Sequence, residues 1–187
     1  WAIAEEQVDA FSPELFDAIH VALADRGYNN LYMDLARRVL TLFNSSANIE
    51  MYVNAHLMYL YSLLWYTDDF DEFCRINEAL ELKLREENSR TLLAKCLRLK
   101  GWYEQYFRGN LGSAQTAFKE AYQLFLGDKL PLESARILND LGLIVKTQQP
   151  DLSRKYWLEA VAKAHQIDDL RLEAVLLCNL GELDLSQ

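Results

Sequence analysis

Apolar side chains recur every three or four residues along most of the chain, which predicts amphipathic α-helices. Leu31, Leu35, Val39 and Leu42, for example, fall on one face of such a helix. No segment alternates apolar and polar residues over a useful length, so we predict no β-strands. Short polar clusters rich in Gly, Pro, Asn or Asp separate the helical segments. The pattern therefore predicts an all-α protein of about nine helices.

Several predicted helices begin at residues that favour a helix N-terminus. Ser12 followed by Pro13 combines a capping hydroxyl with a residue suited to the first turn. Pro150 opens a later helix, and Asp169 precedes the last one. The acidic cluster at 68–72 lies at another such start and lacks the spacing of a calcium loop, so we interpret it as helix-start charge.

Small residues recur with one shared period, which indicates an internal repeat. Gly101, Gly142 and Gly181 are spaced by 41 and 39 residues. A second ladder follows them with spacings of 42 and 39 residues, at Ala79, Ala121 and Ala160. Glycine inside a helix costs about 1 kcal/mol relative to alanine. We therefore expect a packing benefit, with a glycine of the first helix and an alanine of the second allowing close approach.

The period divides the chain into antiparallel helix pairs within one helical-repeat domain spanning 1–187. The last unit holds one unpaired helix, and the chain begins at Trp1, so we interpret the sequence as a piece of a larger protein. The repeat units are predicted at 12–46, 48–88, 90–128, 131–168 and, in part, 170–187.

Composition limits the partners of this domain. The net charge of -9 argues against nucleic acid as a partner, because binding phosphate requires a basic surface. No stretch approaches 18 uninterrupted apolar residues, so we expect no membrane span. The three cysteines are far apart and form no C-x-x-C pair, which fits free thiols in a reducing, cytoplasmic compartment.

Motifs of catalysis and cofactor binding are missing from the sequence. It contains no nucleophile elbow, Walker loop, dinucleotide fingerprint or His-Glu-x-x-His motif. His20, His56 and His165 lie in different repeats without a second ligand at metal spacing, so we interpret them as structural or surface residues. We predict a protein without catalytic residues, metal or cofactor.

The repeat resembles a known family. Ala114, Phe118 and Ala121 follow the order Ala-x-x-x-Phe-x-x-Ala, after a helix containing glycine, as in tetratricopeptide (TPR) repeats. Similar positions recur at Ser153, Trp157 and Ala160. The likeness covers about 28–187 and is clearest from 93 onward. The period of about 40 residues exceeds the 34 of TPRs, and the repeat-end proline is absent. The longer period is similar to TPR-like arrays in bacterial signal-transduction regulators.

The resemblance implies a right-handed α-α superhelix whose concave groove is lined by the first helix of each pair. Counting from Gly101 and Gly142, and counting back from Ala79 where no glycine is present, places groove positions in three helices. The groove residues implied in this way are Asn54, Tyr61, Trp65, Lys95, Arg98, Trp102, Gln105, Tyr106, Arg136, Asn139 and Lys146.

Charge along the chain supports a groove with a preferred ligand. Residues 91–150 hold 8 bases and 5 acids, whereas the other segments are acidic. Aromatic residues together with this basic strip favour a protein or peptide ligand that is acidic or ends in a carboxylate. We therefore predict a non-catalytic peptide-binding module. The alternative is a sensor or oligomerisation segment of a transcriptional or signalling regulator. The apolar stripe at 170–185 predicts either self-association or cover by another segment.

Overall fold

The structure, a computed structural model, describes residues 28–44 and 48–186, and these ranges contain eight α-helices and no β-strand. The all-α class predicted from the sequence is confirmed. The helix expected to begin at Ser12 lies outside the described residues. The helices are α1 (Asn29–Phe43), α2 (Ile49–Tyr66), α3 (Phe70–Glu86), α4 (Arg90–Tyr106), α5 (Leu111–Gly127), α6 (Pro131–Val145), α7 (Pro150–Gln166) and α8 (Leu170–Leu185).

Local chemistry explains where these helices begin. The side chain of Asn48 accepts hydrogen bonds from the first backbone N–H groups of α2, and Asn110 and Asp169 cap α5 and α8 in the same way. Pro131 and Pro150 occupy the first turns of α6 and α7, where a missing N–H costs nothing. The predicted helix starts at Pro150 and after Asp169 are confirmed.

The chain forms two compact units, divided between Lys83 and Leu84. In the first unit α1 packs against α2. The hydroxyl of Tyr59 on α2 donates a 3.1 Å hydrogen bond to Glu72 on α3. The core of this unit includes fully buried apolar side chains from each of the three helices, among them Val39, Leu60 and Phe73.

The second unit is built from antiparallel helix pairs in two layers. Consecutive helices from α4 to α8 pack against each other across short turns. Hydrogen bonds also join alternate helices, from Arg98 on α4 to Asp140 on α6, and from Asn179 on α8 to Asn139 on α6. Thus α4, α6 and α8 form one layer, called here the A layer. Tyr122 of α5 bonds Glu159 of α7, so these two helices form the other, the B layer.

Two glycines of the A layer let an aromatic ring of the B layer reach the helix backbone. A methyl group added at Gly101 would lie 2.3 Å from the ring of Phe118, and one added at Gly142 would lie 2.3 Å from the indole of Trp157. Both rings are fully buried. The predicted packing benefit of these two glycines is therefore confirmed, because any larger residue at either position would displace a core aromatic ring.

The alanine ladder is correct at two positions and wrong at the third. Ala121 and Ala160 are fully buried, but Ala79 is exposed. On α3 the buried side chains include Phe73 and Leu80, so the position equivalent to Ala121 is Leu80. One residue turns a helix by about 100°, which is why a one-residue error exchanges a buried position for an exposed one.

Leucine in place of Ala121 should destabilise the second unit. Ala121 lies on α5 with no exposed surface, so the additional carbons would overpack the junction of α4, α5 and α6. We expect a loss of about 1–3 kcal/mol in the free energy of unfolding, measured by urea denaturation. The same change at exposed Ala162 on α7 is the control, and it should alter stability by less than about 0.5 kcal/mol. Equal effects at both positions would contradict the buried location of Ala121.

Candidate functional site

A charged and aromatic cluster lies between α4 and α6 on the A layer. The guanidinium Nε of Arg98 donates a 2.7 Å hydrogen bond to the carboxylate of buried Asp140. The same guanidinium lies over the ring of Trp102, 4.4 Å from the ring centroid. The indole N–H of Trp102 also donates to Asp140. Arg98, Trp102 and Asp140 therefore hold one another in place from two helices.

Helical spacing accounts for half of this arrangement. Arg98 and Trp102 are one turn apart on α4, so their side chains share a face. Asp140 immediately precedes Leu141 and Gly142 on α6, and the close approach at Gly142 fixes the position of α6 within the unit. The remaining half, the alignment of Asp140 with Arg98, depends on how α4 and α6 are offset along their axes.

Burial and the neighbouring charges act in opposite directions on the pKa of the acidic group in the cluster. Burial raises the pKa of Asp140, while Arg98, the indole of Trp102 and the nearby charge of Arg136 act to lower it. Burial also raises the pKa of Tyr106, and the charge of Asp140 adds to this effect while Arg98 opposes it. The pKa of Tyr106 is affected by both charges, and its side chain is 50% exposed. Tyr106 therefore extends the cluster to the surface.

Most bases of the predicted strip have an acidic neighbour. Arg98 pairs with Asp140 at 2.7 Å, Arg136 with Glu133 at 3.1 Å, and Lys146 with Glu182 at 3.6 Å. Lys95 forms no ion pair with any residue of the described ranges. The surface is therefore close to electrically balanced, although sequence counting made this segment basic. Glu133 and Asp140 are among the five acids of this segment, and Glu182 comes from α8, so a count along the chain gave the excess of bases but not which bases are paired.

The predicted groove residues of the second unit make two different sets of contacts. Arg98, Trp102, Tyr106 and Arg136 surround Asp140. Asn139 instead accepts a 2.8 Å hydrogen bond from the side-chain amide of Asn179 on α8, and it continues the same layer.

The amide of Gln105 differs from its neighbours in having an unsatisfied group. Its Oε1 is shielded from solvent and has no hydrogen-bond partner among the described residues. A buried acceptor without a donor is unfavourable, so this oxygen lowers the stability of the local packing on α4.

The predicted groove residues of the first unit belong to another environment. Asn54 is buried on α2, and its amide nitrogen has no hydrogen-bond partner within the described part of the chain. Tyr61 and Trp65 join an aromatic cluster with Tyr32 and Tyr66, with ring centroids about 6 Å apart. Their positions were counted from Ala79, and the exposure of that alanine removes the basis of the count.

Possible metal ligands and thiols lie apart from this cluster. Within the described ranges, no three His, Cys, Asp or Glu side chains are grouped as metal ligands. His56 is buried, its Nδ1 lies 2.8 Å from the carbonyl of Tyr52, and burial lowers its pKa. Cys74, Cys96 and Cys178, which all lie in the described ranges, form no disulfide there. No helix in the described part has the length and hydropathy needed to cross a bilayer.

Asp140 is the central residue that sequence reasoning missed. It lies 42 residues after Arg98, which equals one repeat period, and this spacing was a usable signal. Asn179 follows Asn139 by 40 residues in the same way, whereas Glu182 follows Lys146 by 36 residues, which is shorter than the period. Complementary polar residues at the repeat period therefore indicate the first two contacts but not the third.

Two comparisons with known proteins found no match for this chain. No protein-family model matches the chain, and no curated protein has a detectably similar sequence. The likeness to TPR repeats stays a prediction from the chain's own pattern, and the helix pairs are consistent with a helical repeat.

Proposed function

We propose that the second unit is a non-catalytic module that binds a peptide or protein segment along the A layer. The observation that carries this proposal is the fixed cluster of Arg98, Trp102 and Asp140 beside half-exposed Tyr106. A rigid aromatic surface with oriented donors binds a chain at low entropic cost, because its side chains are ordered before the ligand arrives. Tyr, Trp and Arg are also the residues most enriched among binding hot spots.

The chemistry of the face indicates the kind of ligand. An apolar or aromatic side chain would contact Trp102 and Tyr106, and carbonyl or carboxylate oxygens would accept from nearby cationic groups. Since Arg98 is already paired with Asp140, a preference for acidic ligands depends chiefly on Lys95. We therefore expect acidic ligands to bind more tightly than neutral ones by a small factor that decreases with added salt.

The groove itself is part of the proposal. We propose that the helix pairs wind as a right-handed superhelix, as the resemblance to TPR arrays implies, with the A layer on the concave side. Side-by-side contacts of α4, α6 and α8 support a continuous A-layer surface. A second candidate function, a sensor or oligomerisation segment of a larger regulator, is favoured by apolar side chains that α8 leaves exposed, including Val175 and Leu177.

Titration with selected peptides tests the binding module. Peptides from a random display library that bind the chain should lose at least tenfold in affinity when Tyr106 is replaced by alanine, measured by isothermal titration calorimetry. Lys95→Glu should weaken acidic peptides more than neutral ones. Lys155→Glu is the matched control, because it makes the same charge change at an exposed position on α7, in the B layer. It should alter affinity less than twofold.

Two results would contradict this function. If selection yields no peptide that binds saturably, the A layer is not a peptide site and the assembly function is favoured. If the selected peptides are unaffected by Tyr106→Ala but weakened by Lys155→Glu, binding occurs on the B layer.

A further inference from the structure

The guanidinium of Arg98 is held in one orientation by two neighbours. Its central carbon lies over the ring of Trp102, 4.4 Å from the ring centroid. Its Nε donates a 2.7 Å hydrogen bond to the carboxylate of Asp140 on the adjacent A-layer helix. A guanidinium is planar and rigid, so fixing Nε also fixes the directions of the two terminal nitrogens, Nη1 and Nη2.

The two terminal nitrogens of Arg98 have no acceptor on the protein. Within the described ranges, Nε is the only nitrogen of this guanidinium that donates a hydrogen bond. Solvent reaches both terminal nitrogens, because the shielded polar atoms without a partner in these ranges belong to Asn54, Gln105 and Glu173. A guanidinium carries five N–H donors, so four of them are oriented and accessible.

The other paired bases of the predicted strip are held less firmly than Arg98. Arg136 pairs with Glu133 on its own helix, and Lys146 pairs with Glu182 on α8. The side chains of these two bases are 37% and 41% exposed, whereas that of Arg98 is 19% exposed. Exposed pairs contribute little and are not held in one geometry. Of these three bases, Arg98 therefore has the donors that are best ordered before a ligand arrives.

The charge of Asp140 affects which acceptor suits these donors. Asp140 accepts hydrogen bonds from both Arg98 and the indole of Trp102, as an ionised carboxylate does. Its negative charge therefore cancels that of Arg98. A carboxylate on the ligand would be repelled by Asp140 and would lose strong hydration, whereas an uncharged carbonyl loses much less. The pair therefore favours an uncharged oxygen.

A peptide backbone supplies such an oxygen at every residue. One carbonyl oxygen has two lone pairs, so it can accept from both terminal nitrogens of Arg98. A peptide whose side chain contacts Trp102 and Tyr106 would bring its own backbone beside this guanidinium, because Arg98 and Trp102 lie one turn apart on α4.

We propose that the terminal nitrogens of Arg98 donate to one uncharged backbone carbonyl of a bound peptide. In this proposal Asp140 is a positioning residue, which orients the guanidinium and cancels its charge. The inference rests on the proposed function, since the same A-layer surface binds the peptide, and it adds a named contact and a preferred acceptor. Any remaining preference for acidic ligands then depends on Lys95.

Backbone esters in the ligand test the contact. The tightest peptide from the display selection is synthesised with one ester in place of an amide, at each position in turn, because an ester carbonyl is a weaker acceptor. One ester should weaken binding about fivefold or more in titration calorimetry. In the double variant Arg98→Met with Asp140→Leu, which lacks the donors, the same ester should cost less than about twofold.

The control for this experiment is Arg85→Met. Arg85 forms an exposed pair with Glu120 and should keep the full ester effect when it is replaced. Circular dichroism and urea denaturation establish that each variant is folded at the temperature of the titration.

Asp140→Asn tests the role given to the buried carboxylate. This change keeps the size of the side chain and an acceptor for Arg98 but removes the charge. Binding of acidic peptides should become about fivefold tighter relative to neutral ones, and it should decrease more steeply with added salt. A residue that served folding alone would change the affinities of the two peptide classes equally.

The possible failures of this inference differ from those of the proposed function. If no selected peptide binds saturably, both are overturned. If peptides bind and lose affinity in Tyr106→Ala, but no ester effect depends on Arg98, the A-layer module stands and the carbonyl contact is excluded. If the ester effect depends on Arg98 but Asp140→Asn leaves the preference between acidic and neutral peptides unchanged, the role of Asp140 in selecting the acceptor is overturned.

Discussion

Replacing Trp157 with alanine should lower the free energy of unfolding by about 3–5 kcal/mol. Trp157 has no exposed surface, fills the space over Gly142, and its indole lies 3.3 Å from the carbonyl of Asn139, to which it donates. Its removal leaves a large cavity between α6, α7 and α8. Trp157→Phe is the control, because Phe118 fills the equivalent position over Gly101, and it should cost considerably less. Urea denaturation followed by circular dichroism measures both variants.

The contact between Gly142 and Trp157 predicts that Gly142→Ala changes from destabilising to stabilising when Trp157 is removed. Alanine there gains about 1 kcal/mol in helix propensity, but its methyl group would lie 2.3 Å from the indole of Trp157. Overpacking costs about 1–3 kcal/mol, so Gly142→Ala alone should destabilise the unit. In the Trp157→Ala background the methyl group has space, and the same substitution should stabilise it. A destabilisation of similar size in both backgrounds would show that Gly142 is required for a reason other than this ring.

The second large effect on stability is expected when the Arg98–Asp140 ion pair is broken. Arg98→Met keeps an apolar side chain on Trp102 but leaves a buried carboxylate without its cation, and we expect a loss of about 3–5 kcal/mol at pH 7. The double variant Arg98→Met with Asp140→Leu should recover most of this loss, since a buried ion pair is often replaceable by apolar residues. Arg85→Met is the control, because the Arg85–Glu120 pair is about 40% exposed and should contribute at most about 1 kcal/mol.

The loss in Arg98→Met should depend on pH. Burial is the largest effect on Asp140 and raises its pKa even beside Arg98, so removal of Arg98 should raise the folded pKa further above the unfolded value of about 3.9. A group with a raised folded pKa contributes stability at low pH and loses it as pH rises through that pKa. The variant should therefore differ less from the unsubstituted chain at pH 5 than at pH 8. An equal difference at the two pH values would show that Asp140 stays charged without Arg98, and thus that water reaches it.

Sequence alone determined the helices and much of the repeat. Periodicity and helix-start residues such as Asn48 and Asp169 depend on neighbours within a few positions, so their effects are visible in the chain itself. The spacing of Gly101 and Gly142 likewise predicted close helix packing, because glycine is costly in a helix unless a neighbour needs the space.

The tertiary structure decided which residues meet. The position equivalent to Ala121 is Leu80 rather than Ala79, because helix rotation changes the facing residue by about 100° per position. Three of the four bases of the strip are paired with acids in the folded unit, and the Arg98–Asp140 pair depends on the axial offset of two helices that composition does not encode. Gly181 carries the same local signal as Gly101 and Gly142, yet only the packed structure distinguishes its open face from their covered ones, because coverage is a property of the neighbouring helix.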